Sequence, residues 1–167
     1  YDDRGNKTQE YRYESTQPLD WYVTFDYDAL NRLVETGWLD YDDTTMVKRQ
    51  SREYFGTGQK KWDQYYGYGD VLEKEVSYNY DILTRLTEVV TDPAGLALTT
   101  SYGYDAAGNR TSTTDPKGSI LYTAYDNANR RAAGYFAADG QTALENAILQ
   151  EAIAYFDNNK ISRQTRY

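Results

Sequence analysis

The sequence predicts a mainly all-β chain of antiparallel β-hairpins repeated along its length, and three observations carry that reading. The first is a short element that recurs at a spacing of roughly two dozen residues, the mark of a stacked repeat architecture. Its copies are Tyr27-Asp28 with Asn31-Arg32, Tyr80-Asp81 with Thr84-Arg85, Tyr104-Asp105 with Gly108-Asn109-Arg110, and Tyr125-Asp126 with Asn129-Arg130. Tyr1-Asp2 with Gly5-Asn6 opens the chain in mid-pattern, and Phe156-Asp157 with Lys160 reads as a worn final copy. The second is the character of the runs between copies, which alternate and are rich in Thr and Tyr. The third is an aromatic balance of 19 Tyr and 3 Trp against 4 Phe, suited to sheet faces that meet water.

Taken in order, Thr99 to Tyr104, Arg110 to Thr114 and Ile120 to Tyr125 read as strands. Between them, Asp-Ala-Ala-Gly-Asn and Asp-Pro-Lys-Gly supply turn chemistry. Asp bonds its own backbone two residues on, Pro presets φ, and Gly tolerates φ > 0. A second turn element therefore stands at Thr91-Asp92-Pro93-Ala94-Gly95 and again at Thr114-Asp115-Pro116-Lys117-Gly118. Residues 40 to 66 hold no clean copy, only Tyr41-Asp42, followed by a degenerate Gly67-Tyr68-Gly69-Asp70. A lone hairpin is marginal in water, so neighbouring repeats are expected to pair edge to edge into one continuing sheet. Leu, Ile and Val are sparse and mean hydropathy is -0.87, which predicts an ordered sheet with thin hydrophobic burial.

One segment breaks the β pattern. Thr142-Ala143-Leu144-Glu145 has capping-box spacing, and Leu144, Ile148, Leu149, Ala152, Ile153 and Phe156 recur at helical intervals. The spacing predicts a helical insertion over 142–156, bounded by Gly140 and by Asp157-Asn158-Asn159, with its apolar stripe packed on the sheet.

The strings YDAAGNR, TDPKG, YDILTRL and YDALNRL resemble the YD-repeat, or rearrangement-hotspot (Rhs), family, and the resemblance covers most of the chain. It implies a long antiparallel ribbon that curves or spirals into a hollow β-shell, as in bacterial polymorphic toxins, the C components of insecticidal toxin complexes, and teneurins. It also implies that Tyr27, Asp28, Arg32, Tyr80, Asp81, Arg85, Asp92, Gly95, Tyr104, Asp105, Gly108, Asn109, Arg110, Asp115, Gly118, Tyr125, Asp126 and Arg130 define the repeat structurally. No catalytic residue, cofactor or metal is implied. The implied function is a non-catalytic shell segment that encloses an effector cargo or forms a cell-surface scaffold; the partners are the remaining repeats of a parent chain, of which residues 1–167 would form one array, and in the first case the enclosed effector. Open strand edges predict self-association. The implied setting is an exported bacterial protein, secreted or on the cell surface.

Composition narrows the function. A net charge of -8 and a pI near 4.6 argue against nucleic acid and anionic membranes, which ask for clustered Lys and Arg. With neither Cys nor His, disulfides, thiolate and imidazole metal sites, Cys nucleophiles and Ser-His-Asp triads are excluded. The longest apolar stretches fall far below membrane-spanning length.

Four motifs invite other functions. Asp26-Tyr27-Asp28 and Asp40-Tyr41-Asp42-Asp43 space carboxylates as calcium loops do, but neither continues into an EF-hand. Trp21, Trp38 and Trp62 are candidate stacking platforms for sugar rings, the basis of an alternative reading as an adhesive or carbohydrate-binding module. Asn6-Lys7-Thr8 and Asn109-Arg110-Thr111 are sequons by pattern, generated by the repeat's own turn. Asp92-Pro93-Ala94-Gly95-Leu96 fits a fragment of the aspartyl autoprotease motif of Rhs toxins, yet Tyr102-Gly103-Tyr104-Asp105 resumes an ordinary copy beyond it, so Asp92 reads as a turn residue.

Overall fold

The computed structural model describes residues 1–12, 21–40, 46–138 and 147–167. Strands β1 (Gln9–Arg12), β2 (Trp21–Tyr27), β3 (Leu33–Asp40), β4 (Met46–Tyr54), β5 (Lys60–Gly67) and β6 (Val71–Tyr80) come first. They are followed by β7 (Leu86–Thr91), β8 (Leu98–Tyr104), β9 (Arg110–Thr114), β10 (Ile120–Tyr125), β11 (Arg131–Ala137), β12 (Ile148–Tyr155) and β13 (Ile161–Arg166). The chain divides into two compact units, one of Tyr1–Tyr78 with Thr91–Ala97 and one of Asn79–Val90 with Leu98–Tyr167. Within each, the strands lie side by side in chain order and antiparallel, the arrangement that short hairpin connections enforce. The all-β class and the hairpin order are those the sequence predicts.

The hairpins share a defect at a fixed place. Register slips by one residue just before Tyr27, Tyr54, Tyr104, Tyr125 and Tyr155, so that these pair with Leu33, Lys60, Arg110, Arg131 and Ile161. Each slip is the bulge that accompanies a type I turn closed by a left-handed residue. It sharpens the strand twist and aims each tyrosine ring along the sheet toward the preceding hairpin.

Hydrophobic burial is thin in both units. Among the described residues, Tyr22, Val23 and Val76 form the buried apolar set of the first, and Ile120, Ala133 and Ala137 that of the second, while Ile82 and Leu96 stand almost wholly in water. With so little apolar surface buried, polar contacts and cross-strand pairs must supply much of the specificity. The most enclosed large side chain of the first unit is an acid: Asp63 on β5 is 1 % exposed. Its Oδ2 accepts Lys60 Nζ at 2.8 Å and the Tyr78 hydroxyl at 2.7 Å, while Arg52 Nε lies 3.6 Å from Oδ1.

The predicted helix over 142–156 is corrected. Ile148–Tyr155 is a strand, paired on one side with β11 (Ala133↔Ala152, Phe136↔Ile148) and on the other with β13 (Ala152↔Thr165, Ala154↔Arg163). The capping-box residues Thr142 and Glu145 lie outside the described residues. A helix this short is marginal by itself, whereas a strand with partners on both sides pairs its backbone along both edges and places Glu151 between Arg131, Gln164 and Arg166.

Removing the buried carboxylate leaves Arg52 and Lys60 facing one another without a counter-charge. We expect Asp63→Ala to cost about 2–3 kcal/mol by urea melt, toward the low end for a broken buried pair because Lys60 keeps contact with water. A cost indistinguishable from zero would mean the cluster adds nothing to stability.

Candidate functional site

The residues that recur in the sequence converge on the turns at one end of the hairpins, in a single local geometry. In the turn from Asp28 to Arg32, Asp28 N–H donates to Arg32 O at 2.9 Å and Asn31 N–H to Asp28 O at 3.0 Å. The same two bonds close the turns Asp2–Asn6, Asp81–Arg85, Asp105–Asn109 and Asp126–Arg130. The fourth residue is left-handed throughout: Gly5, Asn31, Thr84, Gly108 and Asn129 have φ of 82, 61, 63, 89 and 57°. Gly and Asn enter that region readily, but Thr84 is β-branched and strained there.

The first-position aspartate locks its own turn. Asp28 Oδ1 accepts the amides of Leu30 and Arg32, and Oδ2 accepts Arg32 Nε at 2.7 Å. Asp81 and Asp126 do the same with Leu83 and Arg85, and with Ala128 and Arg130. At Asp2 and Asp105 the fifth residue is Asn6 or Asn109, whose amide nitrogen replaces the guanidinium at 2.9 Å. These bonds favour the ionised form and hold all five carboxyls below the usual carboxylate range. The fifth residue's backbone N–H is the foremost cause at Asp28, Asp81 and Asp126, and the Asn side chain at Asp2 and Asp105.

The tyrosine before each turn and the fifth residue within it join one hairpin to the next. Tyrosine hydroxyls donate backward to the carbonyl just beyond the preceding turn: Tyr27 to Lys7, Tyr54 to Leu33, Tyr104 to Leu86, Tyr125 to Arg110 and Tyr155 to Arg131, at 2.7–3.1 Å. Arginines reach forward: Arg32, Arg85 and Arg130 donate through Nη1 to the first carbonyl of the following turn, at Phe55, Asp105 and Phe156. The same guanidinium groups lie 4.7, 4.7 and 4.4 Å from the ring centres of Tyr54, Tyr104 and Tyr155.

Three features differ from the sequence reading. A copy of the turn lies within residues 40–66: Phe55 N–H donates to Gln59 O and Gly58, at φ 95°, to Phe55 O, with Phe in the aspartate's place. Its only sequence signals were Tyr54, Gly58 and the spacing. In the last copy Tyr155, not Phe156, holds the tyrosine position, and Phe156 takes that of the aspartate. Arg110 is not the counterpart of Arg32; Asn109 fills that slot, and Arg110 begins β9 and stacks 4.7 Å from Tyr102.

The remaining candidates have separate placements. Tyr80 ends β6 ahead of the Asp81 turn. The Asp115 turn repeats the Asp-locked geometry at the other end of the hairpins, with Gly118 at φ 88° and Lys117 and Ser119 amides on Oδ1. The Asp92 turn differs: Asp92 is itself left-handed at φ 54°, donates its N–H to Glu75 O, and accepts the amides of Gly95 and Ala97 on its carbonyl. It lines a shallow recess with Leu72, Lys74 and Pro93. Trp38 pairs with Lys48 and Trp62 with Glu53, positions of opposite parity on β4, so the two indoles project from opposite faces; the Trp21 side chain is not described. Asn6 Nδ2 and Asn109 Nδ2 each donate one hydrogen bond within their own turn and one to the asparagine of the next, which an attached glycan would disrupt. Among the described residues no group of acidic side chains is arranged to hold a metal ion, and no helix is long and apolar enough to cross a membrane.

Two predictions follow from the turn. Gly108→Val should cost about 1–3 kcal/mol in a urea melt and Ala106→Val far less, while Thr84→Gly should gain about 1 kcal/mol by relieving a strained φ; equal midpoints for the two Val variants would refute the turn geometry. The depressed carboxyls contribute stability that is present above their unfolded value of ~3.9 and is lost as pH falls through the lower folded values. Melting temperature should therefore hold steady down to about pH 4 and then drop, with a shallower drop in Asp105→Asn; parallel curves would show that Asp105 has no part in it.

The repeat family with the description RHS Repeat matches residues 85–120, from the Arg85 clasp through the Asp105 and Asp115 turns. No curated protein matches the chain in sequence. In fold it is similar to the crystal structure of TcdB2-TccC3-TEV, with a TM-score of 0.64 and 16 % identity over 89 % of this chain. TcdB2-TccC3-Cdc42 and TcdB2-TccC3 are similar with TM-scores of 0.55, at 17 and 15 % identity over the same share. The chain spans only 8–9 % of the length of those chains. Residues 85–120 thus match the RHS repeat, and the Asp-closed turn of that segment recurs on both sides of it.

Proposed function

We propose that this chain is a non-catalytic length of wall in a YD-repeat shell, and that the wall encloses an effector polypeptide of an exported bacterial protein. The observation that carries the reading is how the repeat's polar groups are used. Both oxygens of Asp28, Asp81, Asp105 and Asp126 are engaged within their own turns, and the flanking tyrosines and arginines clasp adjacent hairpins. The residues set out above as repeat-defining would thus act by holding the wall together, which leaves their carboxylates and guanidinium groups engaged rather than poised for a substrate. The fold similarity to the TcdB2-TccC3 structures supports a shell setting. The partners are further repeats and the enclosed polypeptide.

The test uses the full-length parent protein. Limited proteolysis should leave an internal polypeptide intact in the wild type and digest it when Asp81, Asp105 and Asp126 are all changed to Ala, while circular dichroism keeps its β signature. Asp92→Asn should leave any processing unchanged, since Asn shapes a turn much as Asp does. Identical digestion of wild type and triple variant would overturn enclosure, loss of processing in Asp92→Asn would favour an autoprotease, and glycan binding lost in a folded Trp62→Ala would favour the adhesive module.

A further inference from the structure

The junctions between turns come in two kinds, and the kind is set by residue size. Where the fifth residue is arginine, its acceptor is a backbone carbonyl, and the following left-handed residue need not have a side chain: Arg32 is followed by Gly58 and Arg85 by Gly108. Where the fifth residue is asparagine, the shorter side chain meets a side chain instead. Asn6 Nδ2 donates to Asn31 Oδ1 at 3.2 Å, and Asn109 Nδ2 to Asn129 Oδ1 at 3.0 Å. Arg130 is followed by Asn159, whose Oδ1 it reaches at 2.7 Å in addition to the Phe156 carbonyl.

From this we infer a pairing rule between consecutive hairpins: asparagine at the fifth position of one turn requires asparagine at the left-handed position of the next, whereas arginine accepts glycine there. Asn129 and Asn31 are then specificity-determining residues that fix which hairpin can follow which. The inference goes beyond the wall reading, because it holds whether or not anything is enclosed. A purely conformational account of the same residues makes the opposite forecast. Asparagine tolerates φ > 0 less well than glycine does, so glycine at 129 would be neutral or favourable if only backbone geometry mattered.

The experiment is a thermal melt of the protein carrying Asn129→Gly, Asn109→Arg, or both. Asn129→Gly should lower the midpoint by about 1–2 °C, as for loss of one solvent-exposed hydrogen bond. The double variant should recover most of that loss, because the guanidinium reaches the Asp126 carbonyl. The reverse exchange gives a second measurement: Arg85→Asn alone should melt lower than Arg85→Asn with Gly108→Asn. An Asn129→Gly midpoint at or above wild type, a double variant no better than Asn129→Gly, or no gain from Gly108→Asn would overturn the rule.

Discussion

A five-residue turn closed by two backbone bonds, and at Asp2, Asp28, Asp81, Asp105 and Asp126 by a carboxylate folded back onto it, is the constraint on which the rest of the structure depends. The carboxylate ties the third and fifth amides to one oxygen and the fifth side chain to the other, reinforcing the left-handed fourth residue and the tyrosine bulge that the two backbone bonds alone keep at Phe55 and Phe156. Once the bulge is set, the ring lies over the neighbouring hairpin and the guanidinium is held against that ring. A sheet of this size with so few buried aliphatic side chains would slip easily in register. Here each hairpin is indexed at its turn, so the polar lock does the specifying that a packed core does elsewhere.

How much of this could be read from residues alone depended on whether the signal was local. Asp, Gly and Asn at fixed offsets are turn chemistry with a short-range cause, and Gly108 occupies the left-handed position its sequence suggests. The reach of Tyr104 to the Leu86 carbonyl is not local, since it depends on which hairpin lies alongside. The copy at Phe55 was hidden because phenylalanine removes the carboxylate while the backbone keeps the turn. At the final copy, Phe156-Asp157 imitates Tyr-Asp one residue late, and only the hydroxyl of Tyr155 shows the true register.

The strand at Ile148–Tyr155 shows the limit of periodicity in a short segment. Apolar residues at 148, 149, 152 and 153 satisfy a helical template, yet they also serve a strand paired along both edges. Period alone cannot separate these when a run is so short. Pairing partners on both edges decide the matter, and those partners lie elsewhere in the chain.

Within each unit the clasps run in two opposed senses, the hydroxyl toward the earlier hairpin and the guanidinium or amide toward the later one. A hairpin clasped on both sides therefore presents one kind of fitting on its leading side and the other on its trailing side, which gives the ribbon a direction. Gain or loss of a whole hairpin leaves two fittings that still mate wherever the fifth residue of one turn matches the left-handed residue of the next. Gain or loss of a single strand would place two like fittings together and turn every later side chain to the opposite face. Length in such a wall is thus free to change by whole hairpins, and by nothing smaller.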